Sequence, residues 1–255
     1  MITVISPAKT LDFDTPPTTS KKSKPIFATR TKVLVDVMRK KSSKDLCKLM
    51  GISQKLADLN VERFKSFGKS SKTSKQALLA FKGDVYMGLE AEEYSEKDFN
   101  FAQKNLRILS GLYGVLKPLD LIQAYRLEMG VRLQTDNYKS LYEFWGGEIS
   151  AVLRKELGDH NDNSLINLAS TEYFKSVSVK SLPGKVITPV FKDYNKGTYK
   201  ILSFFAKRAR GAMTTFIVKN RINKPDDIKE FSGDGYSYSK TYSSENEWVF
   251  TRKAN

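Results

Sequence analysis

The sequence contains one cysteine and one histidine among its 255 residues, and this scarcity excludes several kinds of protein. Cys47 has no second cysteine in the chain with which to form a disulfide. Cys47 and His160 are too few ligands for a zinc site of the Cys/His type. No apolar run approaches the roughly 20 residues of a membrane-spanning helix, and residues 1–12 lack the pattern of a signal peptide. We therefore expect a cytoplasmic protein with no membrane contact, no metal and no cofactor.

Acidic residues are also scarce relative to basic ones. The chain carries 43 Lys and Arg against 28 Asp and Glu, a formal charge of +15. Sixteen of the basic residues and four of the acidic residues fall between Ser20 and Lys75. A basic surface attracts polyanions, which makes nucleic acid the expected partner. The alternative is that these lysines only solvate helix faces, as most charge runs do, so charge alone does not establish nucleic-acid binding.

A stretch inside this basic window, residues 44–67, predicts two short helices joined by a tight turn. Apolar residues recur at helical spacing on both sides of Gly51, a residue that adopts a positive φ without steric cost. Ile52 is expected to fill the wedge between the helices, and the Ser53 hydroxyl to cap the second helix. The first N–H groups of that helix, with Lys55 beside them, would form a phosphate site.

The turn is similar to the helix-hairpin-helix of DNA repair proteins. The usual pattern is apolar-Pro-Gly-apolar-Gly-x-x-x-Ala, and this chain has Met50-Gly51-Ile52-Ser53 followed by Ala57. Met50 replaces the common Pro, and Ser53 replaces the second Gly. An ordinary helical hairpin is the alternative interpretation. In the DNA-binding interpretation, the contacting residues are Met50, Gly51, Ile52, Ser53 and Lys55.

Periodicity along the rest of the chain predicts alternating strands and helices without a clear linker. The predicted strands are 2–5, 165–168, 185–191, 199–205 and 248–251. The predicted helices are 27–39, 73–81, 95–111, 140–158 and a basic helix around 207–217, and Ser95 with Asp98 would form a capping box at the start of the third. Residues 110–130 mix glycines, a proline and large apolar residues, which predicts a partly buried loop lining a cleft. We predict an α+β fold, with a single compact domain over residues 1–255, a mixed sheet flanked by helices, and a helix-hairpin-helix insertion near the N-terminus.

Six further blocks contain more charged residues, glycines and tyrosines than a folding core requires. They are Ile5-Ser-Pro-Ala-Lys-Thr-Leu, Phe81-Lys-Gly-Asp-Val-Tyr, Leu109-Ser-Gly-Leu-Tyr-Gly-Val-Leu-Lys-Pro-Leu-Asp, Tyr125-Arg-Leu-Glu-Met-Gly, Asn167-Leu-Ala-Ser-x-Glu-Tyr-Phe and Phe205-Ala-Lys-x-Ala-Arg-Gly. Together they resemble the YaaA family of bacterial peroxide stress proteins, in the family's order and over nearly the whole chain. The resemblance implies a cytoplasmic protein of the oxidative stress response, an α/β fold of its own type, a positively charged cleft, and DNA binding that includes the hairpin. It also implies a link to limiting iron damage and to recombinational DNA repair, and it fixes no chemical reaction.

Polar residues of these blocks are expected to converge on one cleft. The candidate phosphate or substrate contacts are Lys9, Lys82, Asp84, Lys117, Arg126, Glu128, Lys207 and Arg210. The cations would receive phosphates, and Asp84 or Glu128 would orient a base or a water. The alternative is that they form structural ion pairs, such as Arg126 with Glu128, that hold glycine-rich loops in place.

Two functions remain open from the sequence. The first is a DNA-binding protein of the peroxide response that contacts the backbone without sequence specificity, favours distorted or partly unpaired duplexes, and protects against or helps repair oxidative damage. The second is a DNA glycosylase or lyase that uses Lys82 and Asp84, since a buried lysine with a lowered pKa attacks a sugar carbon. No catalytic residue is assigned, and whether the protein is an enzyme stays open. Direct iron binding is not expected, because carboxylate, His and Cys ligands do not cluster in the sequence.

Overall fold

An eight-stranded mixed sheet runs through the centre of the computed structural model, which describes residues 1–70 and 73–253. In spatial order its strands are β11 (Ser237–Tyr238), β12 (Glu247–Arg252), β9 (Val186–Asn195), β8 (Leu165–Leu168), β1 (Ile2–Ile5), β5 (Leu106–Ser110) and β6 (Gly114–Leu116), and β10 (Thr198–Lys200) pairs with β9. Strands β12, β9, β8, β1 and β5 are parallel, and the other pairings are antiparallel. Two small antiparallel pairs join β2 (Thr10–Leu11) to β4 (Phe81–Lys82), and β3 (Ser74–Gln76) to β7 (Leu121–Gln123).

Helices flank this sheet. They are α1 (Ala28–Arg39), α2 (Ser43–Met50), α3 (Gln54–Ser66), α4 (Ala77–Ala80), α5 (Asp84–Leu89), α6 (Glu96–Asn105), α7 (Leu141–Trp145), α8 (Glu148–Gly158), α9 (Thr171–Phe174) and α10 (Ser203–Lys219). The structure therefore confirms the predicted α+β fold, a compact domain with a mixed sheet flanked by helices. Lys72, which the basic window includes, lies outside the described residues.

The centre of the core is β1, whose four residues are all buried. Parallel strands covered by helices on both faces need continuous apolar sequence rather than alternation. The run of Ile2, Val4 and Ile5 satisfies this requirement, and Thr3 is enclosed with them. Because β1 pairs with β5 on one side and β8 on the other, it fixes the register of the middle of the sheet.

Several predicted elements were wrong because pairing across the sheet overrides local periodicity. The helix predicted over 95–111 begins with the predicted capping box of Ser95 and Asp98, but it ends at Asn105. The next residues form β5, which pairs with β1. The helix predicted over 140–158 is broken at Gly146, whose φ is +46°. The strand predicted over 199–205 is only three residues long, because α10 begins at Ser203.

Other predicted bounds also changed. The helix predicted over 73–81 is the strand β3 followed by the single turn of α4. The loop predicted over 110–130 contains β6 and β7. Both strands are short: Gly111 precedes β6, and Pro118 lies between β6 and β7. Strand β6 pairs with the preceding strand β5, and β7 pairs with the more distant β3, so strand pairing rather than local periodicity defines these elements.

Residues 44–67 do form two helices, α2 and α3, with Gly51 between them at φ +61°. Ala57 is fully buried where the helices meet. The expected cap is absent, however, because the Ser53 side chain accepts no hydrogen bond from α3. Arg39 of α1 donates from Nε to the Phe64 carbonyl oxygen at 2.9 Å, so the helical pair is attached to the body of the domain.

Helices α5 and α10 cross at very close range, and glycines make this crossing possible. A Cβ added at Gly211 of α10 would overlap the carbonyl oxygen of Val85 in α5, and one at Gly88 would overlap that of Arg208. Contact between two helix backbones leaves no room for a side chain at either position. This helix crossing therefore requires glycine at both positions.

We predict that Gly211→Ala destabilises the fold by roughly 1–3 kcal/mol, because the added methyl group overlaps backbone that cannot move aside easily. Urea unfolding measures the change. The matched control is Gly158→Ala in α8, where an added Cβ meets nothing within 4 Å. That variant should be neutral or more stable by about 0.5–1 kcal/mol. Equal stability of the two variants would contradict the account of the crossing.

Candidate functional site

The carboxyl ends of β1 and β8 open onto a cavity of about 340 Å³. In the sheet, β1 lies between β5 on one side and β8 on the other, so the chain connections at the end of β1 and at the end of β8 run in opposite directions. Connections that diverge in this way leave a crevice outside the strand ends, where α/β proteins commonly bind ligands. We call this cavity the switch-point pocket. Its walls are residues 6–10 after β1, residues 82–86 at the start of α5, Leu168, Ser170, Tyr173, and Lys207 and Arg210 of α10.

Two serines tie the strand ends together at the base of this pocket. The Ser170 backbone N–H donates to Ser6 Oγ at 2.9 Å, and the two serine oxygens lie 3.3 Å apart. The Tyr86 hydroxyl donates to the Ser6 carbonyl oxygen at 3.1 Å, which adds α5 to the same cluster. The loops after β1 and β8 are therefore held in place by the fold.

Three lysines at the pocket are each paired with a carboxylate. Lys9 Nζ lies 3.5 Å from Glu128 Oε1, Lys82 Nζ lies 3.7 Å from Asp12 Oδ2, and Lys207 Nζ lies 3.3 Å from Asp84 Oδ2. All three lysine side chains are more than half exposed. Exposed pairs of this kind are weak, so each ammonium group remains able to contact an anionic ligand.

Arg210 differs from these lysines. Its side chain is half-buried in the pocket wall, and its guanidinium has no hydrogen bond or ion pair among the described residues. Burial lowers the pKa of Arg210 from its usual range. A guanidinium stays charged at neutral pH, and a buried charge without a partner is costly. An anion in the pocket would supply the missing partner.

The predicted cleft residues divide into three groups. Lys9, Lys82, Asp84, Lys207 and Arg210 line the switch-point pocket. Arg126 and Glu128 lie beside the pocket as an ion pair, with Arg126 Nη2 2.9 Å from Glu128 Oε1 and Glu128 in turn contacting Lys9. Lys117 lies elsewhere, 3.0 Å from Glu156 Oε1, and lines other cavities.

Sequence reasoning did not single out the serines and tyrosines of the pocket as a group. Ser6 and Tyr86 belong to the quoted blocks but are ordinary in isolation, and only the fold brings Ser6 to Ser170. Tyr86, Tyr125 and Tyr173 are buried at or near the base of the pocket. Burial raises the pKa of all three, so their hydroxyls remain protonated. The sequence signal that could have found these residues is the end of each buried strand, because residues that follow neighbouring parallel strands meet at one edge of the sheet.

The switch-point pocket is the last of three adjoining cavities. The first, of about 480 Å³, lies at the carboxyl end of α3 beside Arg63 and Phe67. It shares Lys75 with a second cavity of about 230 Å³, and that cavity shares Lys82 with the switch-point pocket. We call these three adjoining cavities together the basic groove.

The hairpin residues are distributed between surface and interior. Gly51, Ser53 and Lys55 are exposed, whereas Met50 and Ile52 are partly buried and pack against the core. The packing of Ile52 agrees with its expected place between the helices. The polar atoms available to a ligand at this turn are therefore backbone groups and the Lys55 ammonium.

Comparison with known proteins gives the family. The family model described as Peroxide stress protein YaaA matches residues 1–242 of this chain. The chain belongs to this family. A UPF0246 protein of Teredinibacter turnerae is 53% identical over 255 residues, covering 99% of this chain and 100% of the relative. A UPF0246 protein of Colwellia psychrerythraea is 51% identical over 255 residues, with 99% of both chains covered.

The YaaA family is thus one of peroxide stress proteins, as the resemblance indicated. Within residues 1–70 and 73–253, no three His, Cys, Asp or Glu side chains lie together in a way that would hold a metal ion. In that same part of the chain, no helix has the length and apolarity needed to span a membrane.

Asp12 lines the second cavity of the basic groove, and its pKa is lowered to about 2. The main cause is hydrogen bonding from Thr15, whose N–H and hydroxyl donate at 3.0 and 2.8 Å, with Lys75 3.8 Å away. A carboxyl group has an unfolded pKa of about 3.9. The ionised form therefore stabilises the fold above about pH 4, and this contribution disappears as the pH falls towards about 2.

We predict that Asp12→Asn has a lower free energy of unfolding than the wild type at about pH 6. The difference between the two proteins should shrink as the pH falls, because the wild-type Asp12 carboxylate then becomes protonated. Asn preserves the shape and an acceptor oxygen while removing the charge. Urea unfolding of both proteins between about pH 6 and pH 2 measures the difference. A difference that is constant with pH would show that the Asp12 charge does not stabilise the groove.

Proposed function

We propose that this protein acts in the peroxide stress response by binding DNA through its phosphate backbone, without sequence specificity. The observation that carries the proposal is the half-buried guanidinium of Arg210, which has no hydrogen bond or ion pair among the described residues and lines a pocket with Lys9, Lys82 and Lys207. Arginine matches the geometry of phosphate oxygens and is weakly hydrated, which suits a partly buried phosphate contact.

The shape of the basic groove favours an extended ligand over a compact one. Three adjoining cavities lie between the carboxyl end of α3 and the switch-point pocket. Cations outnumber acids in the lining of the first and the last, whereas in the middle cavity Lys75 and Lys82 are balanced by Asp12 and Glu92. A single small molecule would fill one cavity of this size. A polymer with regularly spaced phosphates can occupy all three, because its charges repeat along its length.

The helical pair adds a second contact region to this proposal. At about 1.5 Å per residue, α3 extends roughly 20 Å from the turn at Gly51 to the end of the helix that borders the groove. The turn exposes Gly51, Ser53 and Lys55 at the amino end of α3. In the proposed complex, the turn and the groove therefore contact different phosphates of one DNA molecule.

The glycosylase or lyase alternative has less support from the geometry. That chemistry requires a buried lysine close to a free carboxylate. The Lys82 side chain is 64% exposed, and Asp12 is its carboxylate partner. Asp84, the proposed acid, is paired with Lys207. We therefore propose only the DNA-binding function.

Binding through about four phosphate contacts predicts that affinity falls roughly 100-fold between about 50 and about 200 mM salt. Arg210→Gln should weaken binding of a labelled duplex roughly tenfold and reduce the slope of log affinity against log salt by about one. Arg210 has no protein partner among the described residues, so the substitution leaves no carboxylate unpaired. Fluorescence anisotropy over a salt series measures both effects.

The matched control for this experiment is Lys180→Gln, which removes an exposed cation outside the three cavities. Its affinity and salt slope should equal those of the wild type. If both variants lose affinity equally, binding follows net charge rather than the basic groove. Salt-independent binding by the wild type would contradict backbone recognition altogether.

Gly51→Asp should weaken duplex binding, because a negative charge is placed where the turn meets a phosphate. Gly51 has φ +61°, so any side chain also introduces backbone strain. Gly51→Asn carries similar strain without the charge and is therefore the control. We expect Asp to reduce affinity at least about fivefold more than Asn, an effect that salt diminishes. Equal affinities of two folded variants would remove the hairpin from the binding surface.

A further inference from the structure

A further cavity, of about 280 Å³, lies near the amino end of β5. None of its lining residues lines the switch-point pocket or the other two cavities of the basic groove. We call it the β5 pocket. Its lining combines charged side chains with aliphatic ones, and the part of it that carries the argument consists of Ile26, Arg107, Val115, Lys117, Val152 and Glu156.

The charged part of the β5 pocket is built around Arg107, whose side chain is only 3% exposed. Nε donates to Glu156 Oε2 at 2.7 Å, and Nη1 donates to the carbonyl oxygens of Gln103 and Leu106 at 2.9 and 2.6 Å. Nη2 has no hydrogen bond or ion pair to any described residue, and protein atoms do not enclose it. Because the rest of the side chain is buried, the open space that Nη2 reaches belongs to the cavities that Arg107 lines, which are the β5 pocket and a neighbouring one of about 610 Å³.

Structural contacts explain why Arg107 is buried, but they leave Nη2 without an acceptor. The two carboxylates of the β5 pocket are already occupied. Glu156 also accepts from Lys117 Nζ at 3.0 Å, and the two oxygens of Asp120 accept from the Ser23 hydroxyl at 2.7 Å and from the Lys117 N–H at 2.8 Å. A donor of a charged group that lacks an acceptor is costly when water is partly excluded. An acceptor on a ligand would supply the missing hydrogen bond.

Aliphatic side chains give the β5 pocket its second character. Ile26 is 58% exposed, and it borders the cavity together with Val152 and the buried side chains of Val115 and Leu116. One exposed aliphatic side chain is ordinary on a protein surface. Here it lines the same cavity as the open guanidinium edge, and ligand pockets typically combine apolar walls with a few polar groups. A molecule with an apolar body and one acceptor group would contact both.

The charge of the lining indicates which acceptor group fits. Three cations, Lys24, Arg107 and Lys117, oppose the two carboxylates, so a single negative charge would neutralise the pocket. A guanidinium edge matches the planar oxygens of a carboxylate, whereas a phosphate ester brings a second negative charge close to Glu156.

We propose that the β5 pocket binds a small aliphatic monocarboxylate, with its carboxylate on Arg107 Nη2 and its hydrocarbon body against Ile26 and Val152. The ligand would give Nη2 its acceptor and would cover an exposed aliphatic side chain at the same time. This site is separate from the DNA-binding surface proposed above, because the two share no lining residue.

The probe for the test is hexanoate, titrated into protein with isotope-labelled isoleucine methyl groups and followed by NMR. The Ile26 methyl signal is identified by its absence from the spectrum of Ile26→Val. We expect hexanoate to shift this signal in a saturable way. Acetate lacks the hydrocarbon body and hexanol lacks the charge, so each should bind at least about tenfold more weakly than hexanoate.

Two variants test the two halves of the pocket. Arg107→Lys keeps the positive charge but has no Nη2 donor, so it should bind hexanoate at least about tenfold more weakly and hexanol as the wild type does. A merely structural Arg107 would lower the thermal unfolding midpoint without changing the preference for hexanoate over hexanol. Ile26→Ser changes an exposed side chain and leaves the buried charges intact. It should weaken hexanoate binding about fivefold and leave acetate binding unchanged.

The matched control is Ile201→Ser, which removes an isoleucine that is 56% exposed and does not line the β5 pocket. Its hexanoate affinity should equal that of the wild type. Arg210→Gln should also bind hexanoate normally, because Arg210 belongs to the switch-point pocket. Loss of hexanoate binding in Arg210→Gln would place the anion in that pocket and overturn the proposal.

Three other results would overturn the proposal. They are an Ile26 signal that hexanoate does not move, equal affinity of the wild type for hexanoate and hexanol, and equal hexanoate affinity of Ile26→Ser and Ile201→Ser. If Arg107→Lys does not fold, the comparison of Ile26→Ser with Ile201→Ser decides the question. None of these measurements contains DNA, so their failure leaves the proposed DNA-binding function untouched.

Discussion

The close crossing of α5 and α10 is the constraint on which the rest of the site depends. Glycines at Gly88 and Gly211 allow the two backbones to touch, and this contact places α10 over the carboxyl edge of the parallel sheet. Lys207 then reaches Asp84 at the start of α5, and Arg210 enters the pocket wall. A side chain at either glycine would separate the helices and move both cations. The site is thus a consequence of backbone packing as much as of charge.

Charge in the pocket is distributed unevenly. The lysines and Arg126 each have a carboxylate partner, although the three lysine pairs are exposed and therefore weak. Arg210 has none among the described residues, and partial burial, which removes some of its hydration, lowers its pKa. A group that costs stability in the free protein and gains a partner in a complex is characteristic of a functional site.

Local signals in the sequence were enough to predict the local parts of this fold. Strand β1, helix α1, the capping box of Ser95 and Asp98, and the two helices around Gly51 depend on neighbouring residues, and all are present. Strand β5 was missed because its identity depends on pairing with β1, about 100 residues away in sequence. The contact of Ser6 with Ser170 joins residues 164 apart, and no local pattern predicts it. Lys117 was grouped with the pocket by its sequence block, although the structure places it beside Glu156.

Hydrogen exchange of the backbone amides, followed by mass spectrometry with and without duplex DNA at low salt, tests whether the switch-point pocket holds the DNA backbone. We expect slower exchange in three segments when DNA is bound: residues 6–12, residues 82–87 and the first two turns of α10. These segments are far apart in sequence, and residues of all three line the switch-point pocket. Slower exchange confined to other regions, or no change at DNA concentrations that saturate binding, would contradict the claim that this pocket holds the DNA backbone.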